Sequence, residues 1–162
     1  MGVARALGDH TRELGAIPAV SPRVVTLRQI AIDALLEGCL GEGGAAATAN
    51  LAAEWTEGSL ASVLRRIALD ETRHAALAWA ILRWTLQRDP SLTGCLQEAL
   101  EGARVERRAR LCSLADGEPG LASLGVVSPA EAVCVELEVL EQIVSRVFDQ
   151  LVREMTNVPR QD

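Results

Sequence analysis

The chain contains no tyrosine, one phenylalanine and three tryptophans in 162 residues. Without a phenol it cannot carry a tyrosyl radical of its own. No apolar run approaches the roughly 18 residues that a membrane-spanning helix needs, so no membrane partner is expected. Met1 to Leu14 carries Arg5, Asp9, His10, Arg12 and Glu13, too much charge for a secretory signal, and a cytoplasmic location is expected. No stretch alternates β-branched or aromatic residues long enough to suggest a sheet. There is no surplus of positive charge: the formal net charge is −6. The counterion release that drives nucleic-acid binding is therefore missing, and no nucleic-acid partner is expected. Arg65-Arg66 and the Arg104–Arg110 cluster are short, have acids nearby, and read as solvated helix faces. No Cys-x-x-Cys spacing occurs. Cys39, Cys95, Cys112 and Cys134 are scattered, which argues against a zinc or iron–sulfur site and for buried free thiols. Low-complexity segments and internal repeats are also lacking.

What remains is rich in Ala, Leu, Arg and Glu, and 49% of it is apolar. That is enough for one all-α domain with a real core, spanning 1–162. Three helix starts share one device, a capping residue followed by proline: Ser21-Pro22, Asp89-Pro90 and Ser128-Pro129. The last adds Glu131 three residues on, a capping box. Helices are predicted from about Pro22 to Trp55, Leu60 to Arg88, Pro90 to Leu114 and Pro129 to Met155, with Ser59 capping the second. Asp116 to Gly120 breaks the third, and Pro159 follows the fourth. Residues 1–20 are read as a short helix and a loop, 21–88 as a helical hairpin, and 89–162 as C-terminal helices. The turn Thr56-Glu57-Gly58-Ser59 is short enough to make the first two helices antiparallel neighbours. Gly38, Gly41, Gly43 and Gly44 each weaken a helix by about 1 kcal/mol relative to Ala. Such a cluster needs another reason, and close approach of a neighbouring helix supplies one.

The chemistry is concentrated in Asp70-Glu71-Thr72-Arg73-His74. Leu60, Leu64, Ile67, Glu71, His74, Ala78 and Ile81 recur in steps of three and four, one face of a helix. A carboxylate and an imidazole interrupt an otherwise apolar stripe, and burial of an ionisable group is costly unless it is paired or binds metal. A Glu-x-x-His pair turned into a helical bundle is half the ligand set of a di-iron carboxylate site. The partner helix must offer a carboxylate at the same height. Counting from a turn near residue 57, Glu71 lies about 14 and His74 about 17 residues beyond it, and Glu42 lies about 15 before it. Glu37, about 20 before, sits over a turn too far and is the second choice or an outer ligand. Asp70 could accept a hydrogen bond from a metal-bound His or face solvent, and Arg73 reads as solvated. A structural Glu71–His74 pair is the plain alternative. His10, three residues from Glu13, reads as a surface histidine. Glu131, Glu136, Glu138 and Glu141 read as a solvated face, and Trp55, Trp79 and Trp84 as core or groove fillers.

At these residues the chain resembles the ferritin-like superfamily, which includes bacterioferritin and rubrerythrin. It is most similar to bacterial ferritin-like domain proteins that read Glu-Gly-Cys-Val-Gly-Glu-Thr and then Asp-Glu-x-Arg-His-Ala-x-Leu-Ala-Trp. Here the matching segments are Glu37 to Gly43 and Asp70 to Trp79, with a further similarity at Gly125 to Glu131, and the resemblance covers roughly residues 15–155. It implies a ferritin-like bundle in which Glu42 binds one metal, Glu71 bridges and His74 is terminal. Iron as a di-iron pair, or manganese, is the implied cofactor, and oxidation of Fe(II) by O₂ or peroxide the implied activity. Two departures matter. Gly43 stands where the family has Thr, and the family's first two helices, with their own Glu and Glu-x-x-His, are absent. One chain thus carries half a site. Three outcomes stay open: a homodimer in which each copy gives one Glu and one Glu-x-x-His, a remnant that binds no metal, and a fragment of a longer protein. A non-catalytic helical interaction protein and a di-iron oxidase of an organic substrate are the rival functions.

Overall fold

The computed structural model describes residues 25–114 and 121–156. Two long rods and two simpler helices make up the fold. In the first rod, α1 (Leu27–Asp33) runs through a π-helical segment (Ala34–Glu42) into α2 (Gly43–Glu54). Helix α3 (Gly58–Arg88) returns antiparallel to it. A 3₁₀ turn (Pro90–Leu92) leads into α4 (Thr93–Ser113). The second rod joins α5 (Pro129–Val139), a π segment (Leu140–Val144) and α6 (Ser145–Thr156). No strand occurs among the described residues, which are all-α as expected. No helix among them is long and apolar enough to cross a membrane.

The capping logic of the sequence holds at two starts. Asp89 accepts from the Ser91 N–H at 3.1 Å. Ser128 and Glu131 form the reciprocal box, with the Glu131 N–H on the Ser128 hydroxyl at 3.2 Å and the Ser128 N–H on the Glu131 carboxylate at 3.0 Å. The first described helix, α1, is capped by Thr26, whose hydroxyl accepts from the Gln29 N–H at 3.1 Å; the expected start at Ser21-Pro22 lies outside the described residues. Helix α3 begins at Gly58, with Glu57 at the cap position and Ser59 already inside the first turn. Gly58 takes φ +64°, a left-handed conformation that glycine adopts without strain, and this lets a three-residue link reverse the chain. The expected break at Asp116–Gly120, the readings of residues 1–20 and Pro159 lie outside the described residues.

The first rod is the central element. It packs along α3 on one side and against α4 and α5 on the others, and α4 packs on α5. Leu35, Leu40, Leu82, Leu86, Leu96, Leu140, Val144 and Phe148 fill the centre. The two buried threonines are satisfied locally: Thr85 donates to the Leu82 carbonyl at 2.8 Å and Thr56 to the Ala52 carbonyl at 3.1 Å. Helix α3 and the second rod, in contrast, touch only sparsely and leave a cleft between them.

The face that α3 buries is not the stripe read from the sequence. Its buried residues are Ala61, Ala68, Ala75, Ala78, Leu82, Thr85 and Leu86. Alanine is a weak hydrophobic marker, so the eye follows the larger Leu60, Leu64 and Ile67, which flank the seam; Leu60 and Ile67 are exposed. Small residues win the seam because they let the backbones approach. Gly38 shows how close: a Cβ built there would lie 2.2 Å from the Ala78 Cβ. A Cβ on Gly44 would meet the Glu136 Cγ at 3.3 Å. The glycine cluster thus serves close packing inside the chain, whereas Gly41 is exposed and faces only its own Leu36 carbonyl.

Several side chains depart from expectation. Cys39 is buried, but Cys95 is only half-buried and Cys112 and Cys134 are exposed, since their helix faces point outward. Arg104 and Arg107 are not solvated: they lie between α4 and the second rod, where Arg104 donates to the Ser145 hydroxyl at 3.2 Å. Glu136, read as surface, is held there too, 2.9 Å from Arg107 Nε and 3.8 Å from Arg110. The Arg107 N–H does not point along that line, so the attraction is coulombic and not a straight hydrogen bond. Trp84 is exposed and stacks under the Arg88 guanidinium, 4.5 Å from the ring centre.

Gly38→Ala should cost about 1–3 kcal/mol, the usual penalty of overpacking a tight contact. Gly41→Ala should be neutral or stabilise by up to about 1 kcal/mol, since it restricts the unfolded chain without meeting a neighbour. Urea denaturation of the two single variants checks both signs.

Candidate metal centre

The seam between the first rod and α3 fixes the height of the candidate ligands. With the turn at residues 55–57 and Gly38 locked on Ala78, Glu42 falls level with Glu71 and His74. One donor atom from each lies within 4.8 Å of the others, and this is the one such group of His, Cys, Asp and Glu among the described residues. Glu37 is exposed and stays outside the group. Glu42 closes the π segment, a form of helix that recurs at functional sites.

Glu71 and His74 face each other one turn apart on α3, with His74 Nδ1 2.9 Å from Glu71 Oε2. Glu42 and Glu71 meet across the seam and share a hydrogen bond. Two carboxyl groups can do so only if one keeps its proton. Glu42 is the holder: its pKa is raised, first by donating to Glu71, then by burial and by the charge on Glu71, against a smaller opposing pull from His74. Glu71 is the acceptor. The hydrogen bonds from Glu42 and His74 hold its carboxyl below the ordinary range. An ionised Glu71 can only accept, so His74 Nδ1 is the donor of that contact.

Burial differs from expectation. The Glu71 side chain is 25% exposed and that of His74 61% exposed, so the group sits at the rim of the α2–α3 seam and opens to one side. Asp70 and Arg73 face solvent, where they pair with each other at 2.7 Å. Asp70 thus faces solvent beside Arg73, one of the two readings its place in the sequence allows. Glu131 is taken by its capping box, and Glu136 and Glu141 by arginines of α4. His10 and Glu13 lie outside the described residues.

Chemically the group offers two carboxylates and one imidazole converging from two helices. These are the donors that would hold a divalent cation in place of the protons they now share. Oxygen donors with one imidazole suit Fe(II) and Mn(II) better than soft metals. Around the group the outer face of α3 is uncovered and mixed: Leu60, Val63, Ile67, Leu77 and Trp84 are exposed, with Arg66, Asp70 and Arg73 among them.

Comparison with known protein families, with characterised proteins and with solved structures finds no match for this chain.

The proton shared by Glu42 and Glu71 predicts a sign. A raised folded-state pKa contributes stability that is present at low pH and lost as pH rises through it. The lowered Glu71 works in the other direction: its contribution is present above the ordinary glutamate range and is lost as pH falls from there through its depressed value. In EDTA, the melting temperature of wild type should therefore decline as pH rises from the ordinary glutamate range through the raised Glu42 value. Glu42→Gln, which keeps the donor and removes the charge, should abolish that decline and melt higher than wild type at pH 8. Melting curves at several pH values, on both proteins, give the comparison.

Proposed function

We propose that this chain is a ferritin-like metal-binding protein whose Glu42, Glu71 and His74 form half of a carboxylate-bridged di-iron centre, completed by a second copy of the chain. The observation that carries the reading is the convergence of three donor atoms within 4.8 Å from facing helices. A dinuclear carboxylate site in a bundle takes four carboxylates and two histidines. One chain supplies two carboxylates and one histidine, half of each. A two-fold axis beside the exposed His74 doubles the set, because an isologous contact presents the same patch twice. The apolar residues that flank the group on α3 are the surface such a contact would bury.

Glu42, Glu71 and His74 would hold the metal, with Glu71 placed between the other two. Iron bound there supplies one-electron chemistry toward O₂ or peroxide, and oxidation of Fe(II) is the activity we assign; manganese suits the same donors. The chain's own part is to bind and to move protons. Glu42 gives up its proton on binding a cation, and Glu71 enters already ionised. Uptake should thus release protons and strengthen as pH rises through the raised Glu42 value.

A second reading has an observation in its favour. An exposed Glu71–His74 pair one turn apart is ordinary on helix surfaces, and an uncovered apolar face suits a non-catalytic interaction protein. Iron separates the two. After anaerobic addition of Fe(II), light scattering should give about twice the 17.3 kDa chain mass, and elemental analysis should give one iron per chain. His74→Ala and Glu71→Ala should each lose that iron, while Asp70→Asn, which touches only the Asp70–Arg73 pair, should keep it. A protein without stoichiometric iron, or a His74→Ala variant that binds as wild type, would support the interaction reading.

A further inference from the structure

The cleft between α3 and the second rod lies on the far side of α3 from His74. Ala76, on its wall, is about 200° around the helix from His74 at 100° per residue. Its volume is about 380 Å³. Gly43, Ala46 and Ala47 leave room on the floor, where larger residues would have closed the seam. Trp79 of α3 and Ile143 of the second rod both line it, and Ile143 is 51% exposed although apolar. We propose that this cleft binds a small, neutral, largely hydrocarbon molecule.

Size decides the kind of occupant. A docked helix is a cylinder about 10 Å wide, and four turns of it fill on the order of 1,600 Å³, several times the space here. Pockets for small ligands start at about 300 Å³. Charge decides the chemistry. The lining includes no charged side chain, so an ionic ligand would lose its hydration with nothing in return. The polar groups present are few and mostly committed. The Thr72 hydroxyl donates to the Ala68 carbonyl at 2.7 Å, and burial pushes the Cys39 thiol up to about 12, so it stays uncharged. Asn50, exposed at the rim, offers the ligand one hydrogen-bonding amide.

The cleft is also next to the candidate metal centre in the chain. Cys39 and Ala46 stand about one turn before and after Glu42, and Thr72 follows Glu71. Binding in the cleft does not depend on the metal reading above.

The test uses the full chain and titrates n-octanol against octanoate, followed by saturation-transfer NMR and tryptophan fluorescence. Wild type should bind octanol saturably and octanoate at least about tenfold more weakly. Ala76→Leu, at an exposed position that tolerates a longer side chain, should fill the cleft and weaken octanol at least about tenfold while leaving Fe(II) uptake unchanged. Ile143→Ala, which removes one wall, should also weaken it. His74→Ala should bind octanol as wild type does, whatever its effect on iron. The proposal is overturned if octanol fails to saturate, if octanoate binds equally well, or if Ala76→Leu binds octanol as wild type does. Loss of iron binding alone would remove the metal reading and leave the cleft standing.

Discussion

The backbone contact at Gly38 and Ala78 is the constraint on which the other features depend. No side chain fits between these two residues, so the first rod and α3 meet at one height only. Sliding α3 by one turn would drive Ala78 off the glycine and onto a side chain, with the cost that overpacking carries in a dense interior. The same register sets Glu42 opposite Glu71 and His74, although none of the three makes the apolar contacts that hold the helices together. The donor group is a passenger of the packing, and its geometry is as firm as the alanine seam beneath it.

Packing alone would not favour what it brings together. Two carboxyl groups in contact repel once both are ionised, and the chain meets this by leaving one proton on Glu42 and turning two donors toward Glu71. This is the behaviour expected of like charges that share a site. A structural device would more simply use one carboxylate and one cation, as the chain does at Arg108–Glu141 and around Glu136. An acid–acid–imidazole group at an open rim is a costly way to hold two helices.

The sequence made much of this legible. The proline starts at Asp89 and Ser128, the antiparallel hairpin and the level of Glu42 follow from capping chemistry and from counting residues about a short turn. Three things did not follow, each for a physical reason. The π segments 34–42 and 140–144 leave the 3.6-residue period; Gly38 and Gly41 in the first also serve other ends, and nothing in the composition of the second marks it. The buried face of α3 consists largely of alanines, whose hydrophobic signal is weaker than that of the flanking Leu60 and Ile67, so the apolar periodicity points to a stripe rotated away from the true seam, and His74 is more exposed than that stripe implies. The arginines of α4 find acids on the second rod, a pairing between distant segments that local charge patterns cannot reveal. The ferritin-like resemblance likewise rests on short stretches around Glu42 and His74, and the bundle it implies exceeds one chain.

The most direct measurement is anomalous diffraction at the iron edge from crystals of the protein grown with Fe(II) under argon. Our account predicts iron peaks beside Glu42, Glu71 and His74, arranged in a pair about a two-fold axis that carries the same three residues from the partner. Crystals that show the group free of iron, its carboxyl oxygens still hydrogen-bonded to each other and the α3 face in solvent, would contradict it.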